Sequence, residues 1–472
     1  MKKLAVLAVL ALCLDSRFPI LDSSVWATPP KVAEPLPLVF NPPKGERSTL
    51  KNGMVVYLLE DHDLPLVHGS AIIKTGTFYD EAAKPGTAEL VGDTMRSGGS
   101  RTYDADGMNE TLEFLGASVE TGMGDEAGSA GFTTLSKHVG TVLPIFADVL
   151  KNPAFRADKF TVEKEQMLDG IRRRNDDPRS IARRETRRIL FGAAHPYGRR
   201  YEAAEVAAIT TADLAAFHKK YFVPRAVVLA VSGDFQSKQM LAELEKVFGD
   251  WADTPQAALP AVPAAAADSR KVVLIAKDNI TQTAFRVAQS ALKRHDPGHF
   301  DFEVMNDILG GNSFISRLFT DVRSRQGLAY GVGSLFAEWG EAGYFTAACG
   351  TRNENAIKAL KAVMAHIELI RKEPVKDAEL ETAKSSLINS FIFHYQTSAQ
   401  IIGQRASLEY YGYPADYLDT YLDHVRKVGK EQVLKAAAER LKPADSLILV
   451  VGPSSLQKDL EQYGKVEVRK PD

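Results

Sequence analysis

Cysteine is nearly missing from this sequence, which has two in 472 residues, Cys13 and Cys349. Cys13 lies in an N-terminal segment that reads as cleavable. Cys349 is then alone, the mature chain has no disulfide of its own, and stability must come from packing. An excess of charge of one sign is missing too: a net charge of −2 and no basic tail argue against a nucleic-acid binder. Past the N-terminus no apolar run is long enough to be a membrane-spanning helix. There is no G-x-S-x-G elbow, no phosphate-binding loop and no cysteine in a catalytic context. The ten histidines offer no metal site. His295 and His299 form the one i, i+4 pair, but Pro297 and Gly298 between them argue against a helix. His62 and His68 flank a turn at Pro65, and His195 precedes a proline.

What is present suggests an exported two-domain protein. MKKLAVLAVLALCL has two lysines followed by an apolar core, the pattern of a signal peptide, and Val25-Trp26-Ala27 places cleavage near Ala27. Export follows, to the periplasm if the source is bacterial. Leu12 is too bulky for a lipid anchor at Cys13. Residues 1–27 are therefore read as a signal peptide and 28–45 as a proline-rich lead-in. A hairpin is expected over 49–59 with Asn52-Gly53 at its turn, then a strand over 66–73. Helical patterns cover 86–95 and 107–115, strands 117–122 and 129–135, helices 139–150, 157–174 and 211–221, and a buried strand 226–231.

The Ala/Pro-rich tract 251–269 reads as a linker, after which the order of elements begins again. Gly124-Asp125-Glu126-Ala127-Gly128, a strand and HVGTVLPIFADVL are mirrored by Gly340-Glu341-Ala342-Gly343, YFTAACG and NAIKALKAVMAHI. The expected fold is α+β: two homologous domains, 46–250 and 270–472, each an antiparallel-rich sheet with packed helices. One stretch of the second copy, DILGGNSFISRLFTDVRSRQGLAYG over 307–331, has a tight Gly310-Gly311 turn. A short amphipathic helix is expected from Asn312-Ser313, with Phe314, Ile315, Leu318, Phe319 and Val322 on its apolar face, ending at Gly327. Arg323 and Tyr330 could then reach one cavity beyond the turn.

The segment Gly86-Thr87-Ala88-Glu89-Leu90-Val91-Gly92-Asp93-Thr94-Met95 resembles the active-site helix of the insulinase and pitrilysin-like metallopeptidases, a family that includes the mitochondrial processing peptidase. The resemblance extends to NGMVVYLLEDHDLPLV, the SGGSRTY bend, HPYGRR and the two-domain repeat. Members carry H-x-x-E-H on this helix, two zinc ligands and a general base. Here those positions hold Glu89, Gly92 and Asp93, and the family's third ligand falls at Gly170. Two carboxylates suit zinc poorly, so the zinc site is read as degenerate and the acids as solvated residues on a helix that kept its packing face.

The resemblance implies that this chain holds no cofactor and is half of a clamshell whose zinc belongs to a partner. In active members an arginine and a tyrosine spaced R-x6-Y face the zinc site, and Arg323 and Tyr330 match that spacing. Tyr330 would donate toward the oxyanion and Arg323 would hold a substrate carbonyl or steady the tyrosine. The implied function is the non-zinc subunit of a heterodimeric peptidase acting on peptides or unfolded polypeptide, inactive alone. The alternative is a non-enzymatic peptide-binding or assembly scaffold of the same fold.

Overall fold

The computed structural model describes residues 40–471 apart from 259, 261, 264 and 266–268. The signal peptide and most of the lead-in lie outside the described residues. The described part is built from two sheets of six strands each.

In the first half β1 (Glu46–Thr49) pairs antiparallel with β2 (Val55–Glu60) around Asn52-Gly53, and Gly53 takes a positive φ that the turn requires. The rest of that sheet is β3 (Leu66–Ile73), β4 (Ser118–Met123), β5 (Gly128–Leu135) and β6 (Val227–Gly233), in spatial order β1-β2-β6-β3-β5-β4. The second half repeats this with β7 (Lys271–Ala276), β8 (Gln282–Ala291), β9 (Ala329–Glu338), β10 (Gly343–Arg352), β11 (Leu447–Gly452) and β12 (Val466–Arg469), in the order β12-β7-β11-β8-β10-β9. β2 and β6 are parallel, as are β7 and β11. β6 and β11 are buried throughout, which explains their unbroken apolar runs: a strand covered on both faces has no polar side to present. The copies differ at one edge, where β1 comes from the start of the first half and β12 from the end of the second.

The helices follow from local sequence. They are α1 (Thr87–Ser97), α2 (Ala105–Leu115), α3 (Val139–Lys151), α4 (Ala157–Arg173), α5 (Pro178–Phe191), α6 (Ala203–Ala208), α7 (Thr211–Tyr221) and α8 (Ser237–Phe248) in the first half. The second half contributes α9 (His299–Asn306), α10 (Ala356–Lys372), α11 (Asp377–Phe391) and α12 (Ser398–Tyr410) before its C-terminal helices. Asp177 caps α5 through the Ser180 N–H, with Pro178 at its first position.

Two helices cross between the halves. Ile181 and Ala182 of α5 share a core with Ala284, Ala288, Leu449 and Val451 of the second sheet. Ile401, Ile402 and Ala406 of α12 pack on Leu59, Val228 and Ala230 of the first. Each sheet thus has one face covered by its own half and the other by a helix from its partner half.

The repeated corners meet. Arg294 donates to the Glu126 carboxylate, which also accepts from the Gly340 N–H at 2.9 Å, while the Tyr410 hydroxyl donates to the Glu126 carbonyl at 2.7 Å. The two matched glycine-flanked turns therefore lock to each other.

The amphipathic helix expected from Asn312 does not form as read. α9 continues into a wide i→i+5 segment, Asp307–Gly311, and the tight Gly310-Gly311 turn lies inside it. The Asn312 side chain accepts the Phe314 N–H at 3.1 Å and the Ile315 N–H at 3.4 Å, which holds a turn in place of a helix start. A second i→i+5 segment, Phe319–Arg325, follows. Leu318 and Val322 are buried as expected, whereas Phe314 and Ile315 sit in the turn and are exposed.

Candidate functional site

α1 is fixed from outside by Asp80, which accepts the Gly86 and Ala88 N–H groups, each at 2.7 Å, at the helix start. Asp80 is 4 % exposed, and burial pushes its carboxyl up to about 7 despite those donors. Glu89, Asp93 and Gly170 gather on one cavity of about 700 Å³, bounded by α1, α4, α5 and the 196–201 segment. Of the two acids Glu89 is half-buried and Asp93 exposed. Glu89 accepts from the Tyr201 hydroxyl at 2.9 Å, and burial raises its pKa against that bond. Asp93 is pushed up to about 6, first by burial and then by the charges of Glu89 and Glu163. The reading of both as solvated acids fails for Glu89, which is half-buried under Tyr201, while Asp93 is exposed on the cavity wall.

This donor set does not fit zinc. Glu89 and Asp93 supply carboxylates that repel each other, Gly170 supplies no side chain, and zinc sites draw on nitrogen or sulfur. Gly92 is closed off too. A Cβ there would lie 2.8 Å from the Met123 nitrogen and 2.9 Å from the Gly122 carbonyl carbon, both backbone atoms of β4. The Thr121 hydroxyl donates to the Gly92 carbonyl at 2.6 Å, pinning the helix to that strand. A glutamate cannot occupy position 92 unless α1 moves.

The opposite wall is basic. Arg187 pairs with Asp125 at 3.1 Å, Arg174 with Glu202 at 2.7 Å, and Arg200 with Glu185 at 3.0 Å and Glu202 at 2.7 Å. Arg187 also lies 4.8 Å from the Trp339 ring centre, and Tyr344 of β10 completes the cavity, so the second half contributes to it. Of these arginines Arg187 lies on α5, a helix that was not among the elements expected from sequence, although Asp177-Pro178 is a start signal. His195 is buried, and its Nδ1 accepts the Tyr197 N–H at 3.1 Å, a structural role.

Arg323 and Tyr330 come together in the second half. The Arg323 guanidinium is 4.6 Å from the Phe319 ring centre and 5.7 Å from that of Tyr330. Arg323 borders a second cavity, of about 450 Å³, whose wall includes Gly331 but not Tyr330. Tyr330 stands 76 % exposed at its rim, on β9, the edge strand of the sheet. The expectation that both reach one cavity holds for Arg323 alone. Two exposed side chains, Phe314 and Leu335, are further apolar surface of this half.

Comparison with known proteins gives a consistent result. The family model for insulinase (peptidase family M16) matches residues 56–195, and that for the peptidase M16 inactive domain matches 208–387. An uncharacterized zinc protease of Mycobacterium leprae is 25% identical over 434 residues, 89% of this chain and 95% of that one. The uncharacterized zinc protease YmxG of Bacillus subtilis is 23% identical over 411 residues, 87% and 98% of the two chains. Among solved structures, a peptidase M16 inactive domain from Pseudomonas fluorescens aligns with a TM-score of 0.80 at 28% identity, covering 87% of this chain and 98% of that one. The periplasmic protease PqqL of Escherichia coli aligns with a TM-score of 0.72 at 13% identity, covering 88% of this chain and 48% of that one.

Proposed function

The chain belongs to the insulinase (M16) peptidase family, and from that premise we propose that it is the non-zinc subunit of a heterodimeric zinc metalloendopeptidase. In this reading it is one half of a clamshell that takes peptides or unfolded polypeptide, and it lends Arg323 and Tyr330 to a homologous partner carrying an intact H-x-x-E-H. The observation that carries the reading is an asymmetry. The cavity under α1 has no imidazole and no room at Gly92, while Arg323 and Tyr330 stand together with the phenol open to a neighbour.

The partner's metal would activate water, and this chain's residues would act on the substrate. The Tyr330 phenol would donate to the oxyanion as it forms. Arg323, resting on Phe319 and against the Tyr330 ring, would steady that ring and hold a substrate carbonyl. Export to the periplasm accompanies the proposal, supported by the N-terminal lysines and apolar run with cleavage near Ala27. No described helix is long and apolar enough to cross a membrane.

The test is co-purification from native extract with metal analysis. The expected result is a co-purifying H-x-x-E-H chain and no stoichiometric zinc on this chain alone. A tightly held zinc on the lone chain would overturn the reading, and recovery of structural partners without a peptidase would favour a scaffold.

A further inference from the structure

Beneath the first turn of α5 the second sheet is hollow. Gly333, Ala348 and Arg286 are neighbours across β9, β10 and β8, and Gly350 pairs with Ala284 one step along the same face. The glycines and alanines here leave open the cavity of about 450 Å³ described above, within the size range of ligand pockets, and Arg179, Arg286 and Arg323 are in its wall. No aspartate or glutamate is among the described residues of that wall.

The three arginines differ from several others near α5. Arg184, Arg187, Arg174 and Arg200 all have carboxylate partners, but among the described residues no carboxylate forms an ion pair with Arg179, Arg286 or Arg323. Arg286 is half-buried in the middle of the sheet, and burial together with the nearby Arg183 cation weakens its hold on its proton. Arg179 lies directly on Gly350: a Cβ there would be 2.7 Å from its Nη2 and 2.8 Å from its Nε, so the guanidinium rests against the backbone of β10. Three like charges lining one cavity repel each other, Asp177 at the start of α5 offsetting part of the Arg179 charge, and an anion relieves that repulsion. Guanidinium forks match the two oxygens of a carboxylate.

We propose that this cavity is an anion subsite that takes a peptide carboxylate, either the C-terminal group of the chain or an Asp or Glu side chain. The choice of a peptide as the bearer rests on the peptidase-subunit reading, since Tyr330 stands at the rim next to Gly331. The chemistry of the subsite belongs to this chain alone.

The experiment is direct binding to the full chain without any partner, by anisotropy of a fluorescein-labelled alanine/serine octapeptide in three forms. These are free at the C-terminus, amidated, and amidated with one internal glutamate. At least one carboxylate form should bind about tenfold tighter than the neutral amide, and which form does so identifies the source. Arg286→Gln or Arg179→Gln should bring that ratio to within about twofold, and Arg179 is exposed, so its replacement leaves folding intact. A ratio within about twofold in the native chain, no saturable binding of either carboxylate form, or a ratio unchanged in both variants overturns the proposal. Because no partner is present, failure of the heterodimer reading would leave the ratio standing. Loss of the ratio would leave the partner assay untouched.

Discussion

The two halves seat a helix against an edge strand in the same way and then put different chemistry on it. In the first, Gly92 lets α1 lie on the β4 backbone. In the second, a Cβ at Gly310 would be 2.5 Å from the Ser334 nitrogen of β9, so that segment is seated equally tightly. After this shared contact the halves diverge. α1 is a regular helix with Glu89 half-buried under Tyr201 and Asp93 exposed. The second half runs through two wide i→i+5 segments that place Arg323 on Phe319 and leave Tyr330 in the open. A duplicated fold thus keeps its packing contact while one copy shuts position 92 against β4 and the other leaves its phenol open. Such i→i+5 segments are often found at functional sites.

The most severe test of this contrast is to put the missing base back. Gly92→Glu should destabilise the chain by more than about 4 kcal/mol in denaturant unfolding, because it forces a carboxylate into β4 backbone. A stable variant would mean that the first site is merely stripped of ligands and not closed. Next is Tyr330→Phe, expected to lower turnover of the assembled pair on the order of a hundredfold, with assembly unchanged by sedimentation. Unchanged turnover would reduce the second half to a surface.

A smaller effect is expected where the halves lock together. Glu126→Ala strands Arg294 and should cost about 2 kcal/mol in thermal unfolding, less than a fully buried pair because both side chains keep some exposure. Smallest is Asp93→Asn. The Asp93 carboxyl is raised from 3.8 to about 6, so the folded chain binds that proton more tightly than the unfolded chain. Its contribution to stability is therefore largest below the unfolded value and is lost as pH rises toward about 6. After allowance for solvent screening, Asn should stabilise by about 1 kcal/mol at pH 8, a gain that disappears near pH 4 in parallel urea titrations.

Much of the fold could be read from the order of residues. The Asn52-Gly53 turn, the alternation over 66–73 and the apolar runs of β6 and β11 are local signals, and local signals survive into structure. The repeat was visible because its glycine-flanked corners recur, and those corners turn out to touch. α5 was missed because its arginines hide a short buried face of Ile181, Ala182, Glu185 and Thr186, and burial of Glu185 depends on Arg184 and Arg200 closing around it. Which sheet a helix covers is settled by packing across the chain, so the exchange of α5 and α12 left no mark in sequence. At the site, residue identities at 89, 92, 93 and 170 were legible, as was the Arg323/Tyr330 pair. The half-burial of Glu89 was not, because Tyr201, which covers it, is distant in sequence. The same holds for Phe314 and Ile315, where periodicity alone suggested a face that the Asn312 turn removes.

The most direct measurement is peptide turnover as this chain is titrated into a fixed amount of the co-purifying H-x-x-E-H chain. If the second half completes a neighbour's site, turnover rises from near zero and levels off at one chain per partner, while the Tyr330→Phe chain reaches the same stoichiometry at a far lower plateau. A partner fully active by itself, or this chain cleaving peptide with no partner present, would contradict it.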